Sequence, residues 1–169
     1  MSHSCWTIEN ALTHEECDFL IDHHRNSTWF DREVEGGKNE VVKLPIEYPC
    51  DDTLSLIMKK YINNVKGCYT ALDLSFPHLV RWLPGNHMHF HHDKDRDKGQ
   101  INYSSVVYLN DDFNGGETVL VAGDTLRPFK PKKGMMLLFR SKYIMHSVNK
   151  ADQSRYTCIA WWSENGLPE

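Results

Sequence analysis

The run His87-Met-His-Phe-His-His-Asp93 concentrates imidazoles and ends on a carboxylate. Within it His91 and Asp93 form a His-x-Asp pair. Residues two apart in an extended segment project to the same side, so an imidazole and a carboxylate can converge there on one cation. A further donor must come from elsewhere in the chain, and His146, within Ile144-Met-His-Ser-Val148, sits on a short apolar run that reads as a strand. Taken singly, these residues have plainer readings: the four histidines as a solvated strand end, His146 as a hydrogen-bonded core residue. Arg155 changes the balance. It follows the polar turn Asn149 to Ser154 and opens a run, Tyr156 and Cys158-Ile-Ala-Trp-Trp162, with little other polarity, where a guanidinium needs a buried partner.

Two histidines and one carboxylate on one face of an ion are the facial triad of non-haem Fe(II) oxygenases, which leaves the other face for a chelating cosubstrate and O₂. A 2-oxo acid that chelates through one end needs its far carboxylate held by a cation that cannot lose its proton. Arginine does this with a two-pronged fork of donors.

These side chains need a scaffold. Cys5-Trp-Thr-Ile8 reads as a short strand, and Thr13-His-Glu-Glu16 has the form of a capping box ahead of a helix over about 13 to 23. Residues 26–50, with Gly36-Gly37 among charges and short apolar pieces, suit loops with a strand. Leu54, Ile57, Met58, Tyr61, Ile62 and Val65 recur at steps of three and four, predicting a second helix capped by Asp51-Asp52 and stopped at Gly67. From about residue 75 the pattern is that of strands: 76–82, 101–109, 118–121, 135–139, 144–148 and 156–162, separated by turns such as Pro84-Gly85 and Gly123-Asp124. Many short strands at this spacing predict a sandwich or barrel, mainly β, with the two helices packed outside.

The 169 residues, 40% of them hydrophobic, suffice for one buried core. A single domain over 1–169 is expected, with an α/β support to about residue 74 and a β core over about 75–163. A net charge of -4 supplies no general basic surface for a nucleic-acid backbone. The five cysteines form no close pair and are odd in number, which argues against a disulfide framework or zinc ribbon and for a reducing compartment. No signal-like N-terminus or bilayer-length apolar run is evident, so a cytoplasmic location without membrane contact is expected.

In its second half the sequence resembles the prolyl 4-hydroxylase-like branch of the 2-oxoglutarate and Fe(II)-dependent oxygenases. The matching pieces, in order, are Pro84-Gly85-Asn86, His91-x-Asp93, Tyr108-Leu-Asn110, Gly115-Gly-Glu-Thr118, Pro131 through Gly134 to Phe139, His146-Ser-Val148, Arg155-Tyr156 and Trp161. The resemblance implies a double-stranded β-helix, a cupin-like jelly roll, with His146 and Arg155 on successive strands of opposing sheets. It implies Fe(II) on His91, Asp93 and His146, and 2-oxoglutarate and O₂ as cosubstrates, with ascorbate as a candidate accessory reductant. Arg155 and Tyr108 would hold the far carboxylate of 2-oxoglutarate, with Trp161 lining the pocket.

The chain departs from these relatives before His91, where Leu83 and Met88 stand in a shorter segment that often carries tyrosines. The substrate therefore stays open among peptidyl proline, other peptide side chains, free amino acids and small metabolites. Arg81, Trp82, His87, His89 and Arg140 are candidates for a substrate rim. A non-catalytic metal-binding jelly roll is the rival reading from another class. An oxygenase acting on nucleic acid fits less well, because no Lys or Arg follows Arg155.

Overall fold

The computed structural model describes residues 4–93 and 101–165. In chain order the elements are β1 (Cys5–Ile8), α1 (His14–Asn26), β2 (Phe30–Val34), β3 (Gly37–Lys43), α2 (Thr53–Cys68), β4 (Leu72–Trp82), β5 (Met88–His91), β6 (Tyr103–Tyr108), β7 (Thr118–Ala122), β8 (Thr125–Phe129), β9 (Met136–Phe139), β10 (His146–Val148) and β11 (Arg155–Glu164). The strands form a seven-stranded sheet in the order β1-β9-β6-β11-β4-β3-β2 and a four-stranded sheet in the order β5-β10-β7-β8. The pairings are antiparallel.

Both helices begin where their caps place them. Thr13 accepts from the Glu16 backbone N–H while the Glu16 side chain accepts from the Thr13 N–H, satisfying two donors that a helix start leaves open. Asp52 caps α2 by accepting from the Ser55 N–H. The stop expected at Gly67 does not operate. A glycine ends a helix by taking a positive φ, which Gly67 does not, and α2 runs on to Cys68 before Tyr69 turns extended.

The helices bury one face against the seven-stranded sheet. Leu20, Met58, Tyr61 and Val65 join Leu79, Val107, Leu138, Cys158, Ala160 and Trp162 in one apolar cluster. Inside it Ser105 is paired: its Oγ receives Trp162 Nε1–H at 2.8 Å and lies 2.7 Å from the Tyr61 hydroxyl. The other face of the sheet turns toward the four-stranded sheet. Leu120, Phe129, Leu137 and Phe139 fill part of that interface, and the rest is a cleft of about 1370 Å³.

Beyond the one strand expected over 26–50, two strands are not legible in the sequence. Residues 26–50 hold a full hairpin, β2 and β3, whose turn uses positive φ at Gly36 and Gly37. Strand β8 is an edge strand, exposed along most of its length and carrying Pro128, so it lacks an apolar alternation to announce it. The hairpin is tied to the turn before β5: Asn86 Nδ2 donates to the Lys38 carbonyl at 2.9 Å, and the His87 N–H to that of Glu35 at 3.0 Å. Among the described residues no helix is long and apolar enough to cross a membrane.

Candidate active site

Strands β5 and β10 lie side by side, and His91 and His146 are direct partners in that ladder, with ring centroids 4.2 Å apart. Ladder register alone thus puts two imidazoles next to each other. The extended strand expected through Asp93 ends at His91, and Asp93 follows two residues on, with Oδ1 3.5 Å from Nε2 of both histidines. One ligand atom from each residue lies within 4.8 Å of the others.

Each ring is oriented from behind by the same device. His91 Nδ1 lies 2.7 Å from the His89 carbonyl and His146 Nδ1 3.3 Å from that of Ile144. A carbonyl can only accept, so Nδ1 carries a hydrogen, and Nε2 of each ring is the atom turned to Asp93 that could bind an ion once its proton has left. Burial by itself would push the Asp93 carboxyl up. The hydrogen bonds from His146 and His91, with the Ser104 hydroxyl on Oδ2, hold it well below the usual carboxylate range. Burial likewise would lower His91, but the adjacent Asp93 carboxylate raises it. An ionised oxygen and two imidazole nitrogens on one side of a point fit a divalent first-row ion, whose bonds of about 2.0–2.2 Å ask only for a small inward closure.

Across the cleft, Arg155 opens β11 in the seven-stranded sheet and is 2% exposed. Its Nε donates to the Gly116 carbonyl at 2.9 Å and its Nη2 to Thr118 Oγ1 at 3.3 Å, so among the described residues these donors meet a carbonyl and a hydroxyl and no carboxylate. The guanidinium lies 5.4 Å from the Trp82 ring, its partner in the β4–β11 ladder, and 5.3 Å from the Tyr108 ring. The Tyr108 hydroxyl donates to Thr118 at 2.6 Å, and burial keeps that phenol protonated by pushing it up. Trp82 Nε1 is buried without a hydrogen-bond partner among the described residues. A desolvated cation and an orphaned N–H donor on one wall form a ready receptor for an anionic group. Gly116 makes room for it: a Cβ there would come 3.1 Å from Arg155 Cδ and 2.8 Å from Phe113, and the residue holds φ +72°.

The triad and Arg155 therefore line one cleft, whereas Tyr108 is fully buried behind it, touching the cleft only through Thr118 and Arg155. Trp161 lines it too, but farther along β11, stacked on Phe76 at 5.4 Å and edge-on to His78 at 5.1 Å. Of the rim candidates, Trp82 and His89 line the cleft, and His87 lines a shallower neighbouring one. Arg81 and Arg140 do not. Arg81 pairs with Glu40 at 3.3 Å on the helix-facing side, and Arg140 with Glu164 at 3.6 Å. Thr118, His78 and Ser104 also line the cleft, and the sequence carries no signal for them, since a threonine, serine or single histidine inside a strand run reads as an ordinary strand residue.

The cleft thus places a His-Asp-His cluster that could hold a metal ion opposite a buried cation. A family model described as the 2OG-Fe(II) oxygenase superfamily matches residues 77–163, and the chain belongs to that family. The family implies Fe(II), 2-oxoglutarate and O₂, and so an oxidoreductase. Among solved structures, the chain is similar to a Pseudomonas putida prolyl-4-hydroxylase (TM-score 0.79, 19% identity, 98% of this chain and 95% of that one). It is also similar to the viral collagen prolyl hydroxylase of Paramecium Bursaria Chlorella virus-1 in its 2OG complex (0.68, 20%, 95% and 96%). A third is a Trichoplax adhaerens prolyl hydroxylase in complex with a hypoxia inducible factor peptide fragment (0.75, 14%, 95% and 84%). At these identities the likeness is one of fold. No curated protein sequence matches the chain.

Proposed function

We propose that this chain is a 2-oxoglutarate- and Fe(II)-dependent dioxygenase that hydroxylates an unactivated C–H bond, with peptidyl proline as its first-ranked substrate. One observation carries the reading: a cross-strand histidine pair closed by Asp93 faces a buried arginine whose donors meet no carboxylate among the described residues. In this reading the two sheets form a double-stranded β-helix that acts as one catalytic unit. His91, Asp93 and His146 would hold the iron, and Arg155 with Tyr108, Thr118 and the Trp82 N–H would hold the far carboxylate of 2-oxoglutarate. Trp161 would wall the pocket.

When bound, Fe(II) supplies the redox chemistry that joins one oxygen atom of O₂ to substrate carbon and the other to the cosubstrate, which leaves as succinate and CO₂. The protein's share is placement. Asp93 stays ionised, both imidazoles turn Nε2 toward the ion's place, and Arg155 sets the cosubstrate's reach across the cleft. Ascorbate would serve as accessory reductant. All five cysteines are free, which fits a reducing, cytoplasmic setting. The prolyl ranking draws on the three similar folds, one of which is complexed with a peptide.

Anaerobic titration of Fe(II) and 2-oxoglutarate is expected to give a metal-to-ligand charge-transfer band that His146→Ala and Asp93→Ala lose. Substrate-dependent succinate formation should vanish in both variants, and turnover equal to wild type in either would remove the triad from its role. Mass spectrometry for a gain of one oxygen, run on prolyl peptides beside free amino acids, decides the substrate class. Oxidation confined to the free amino acids would displace the peptidyl assignment.

A further inference from the structure

We propose that Ser104, itself anchored by Ser141, is a positioning residue that confines Asp93 to coordination through one oxygen. The inference rests on the metal-site reading above. Asp93 Oδ1 faces both imidazoles, 3.5 Å from each Nε2, whereas Oδ2 accepts from the Ser104 hydroxyl. Ser104 Oγ in turn lies 2.7 Å from Ser141 Oγ. Ser104 has a single hydrogen, and spending it on the carboxylate requires Ser141 to donate to Ser104. The two hydroxyls therefore form a directed chain ending on the oxygen that faces away from the histidines.

Both serines are buried, at 2% and 0% exposure, and a buried hydroxyl costs free energy unless it is bonded. Ser104 stands on the cleft side of β6 opposite Phe139, and Ser141 follows β9 with its own N–H on the Phe139 carbonyl. The chain thus reaches from the seven-stranded sheet to a ligand that follows β5 of the four-stranded sheet, holding the acid in place across the cleft floor.

The chemistry gives this a purpose. A carboxylate free to swing can bind an ion through both oxygens and take two positions. With a histidine pair and a chelating cosubstrate also bound, two-oxygen coordination would use the site that O₂ needs. A hydrogen bond on Oδ2 removes that option before the ion arrives, and outer partners of this kind typically carry a large share of metal affinity.

The test is Mn(II) titration of the metal-free protein by calorimetry, with Co(II) absorption reporting coordination number. Ser104→Ala is expected to weaken Mn(II) binding by about 10- to 100-fold and to shift the Co(II) spectrum toward higher coordination. Ser104→Thr, which keeps the hydroxyl, should restore affinity to within about threefold. Ser141→Ala should fall between them, and it carries the test if Ser104→Ala does not fold. Affinity in Ser104→Ala within about twofold of wild type, or a Thr variant no better than the Ala variant, overturns the proposal. Failure of the wild-type chain to bind Mn(II) at all would instead overturn the triad reading on which it rests.

Discussion

The seven-stranded sheet has two faces built from the same strands. On β11, Tyr156, Cys158, Ala160 and Trp162 join the apolar cluster under the helices, while Arg155, Ile159 and Trp161 line the cleft. On β6, Tyr103 and Val107 face the helices and Ser104 and Val106 the cleft. Alternation at period two therefore sorts stability to one side and chemistry to the other. The helix face hides apolar surface and satisfies its Ser105 hydroxyl twice over. The cleft face carries a desolvated guanidinium, the Trp82 indole N–H and the fully buried His78 Nε2, the last two without a hydrogen-bond partner among the described residues. Such groups add little to the stability of a fold and mark the cleft as a candidate receptor.

The comparison breaks if a change on one face is felt as a change of the other kind. The largest effect is expected at Leu79, 1% exposed on the helix face. Leu79→Ala should cost about 2–5 kcal/mol in denaturant unfolding while Mn(II) affinity of the folded protein holds. Arg155→Met should do the reverse. Affinity for 2-oxoglutarate, read by calorimetry, is expected to fall about 100-fold. Without ligand the melting temperature should hold or rise, because an apolar side chain of similar length replaces a desolvated charge.

Acid titration sharpens the contrast. Burial, with Arg32 nearby, pulls His78 down to about 3, so the folded protein keeps it neutral. The unfolded chain takes up that proton below about pH 6.5. The contribution of His78 is thus complete above that value and is lost as pH falls toward 3, at up to about 1.4 kcal/mol per pH unit. His78→Phe should flatten the stability profile in this window. Subtracting variant from wild type isolates His78 from His91, whose raised value acts in the opposite direction. The smallest effect is at the far edge of the helix layer, where Thr13→Ala should cost about 1 kcal/mol and leave the cleft untouched.

How much of this was legible depended on which face a residue serves. The helix face announces itself: Thr13 to Glu16 spells its capping box, and the apolar spacing from Leu54 to Val65 places α2. The cleft was legible only where side chains have narrow uses. His91, Asp93, His146 and Arg155 stand out because imidazole, carboxylate and guanidinium are costly to bury without a partner. Tryptophan, threonine and serine are ordinary strand residues, and what Trp82, Thr118 and Ser104 do follows from register across β4, β6, β7 and β11. Arg81 and Trp82 show the limit most sharply. They are neighbours in sequence and equal candidates for the rim, yet the pleat sends one to Glu40 and the other under Arg155.

Strand β5 is short, and its ladder to β10 holds only the pairs His91 with His146 and Met88 with Val148, interrupted by a bulge. A cation shared by the first pair would clamp the two strands where backbone bonding is sparsest. Chelation should therefore fray this border of the smaller sheet first, with amide exchange quickening along β5 while the helix side stays protected. The ion would be a rivet in the architecture as well as a reagent.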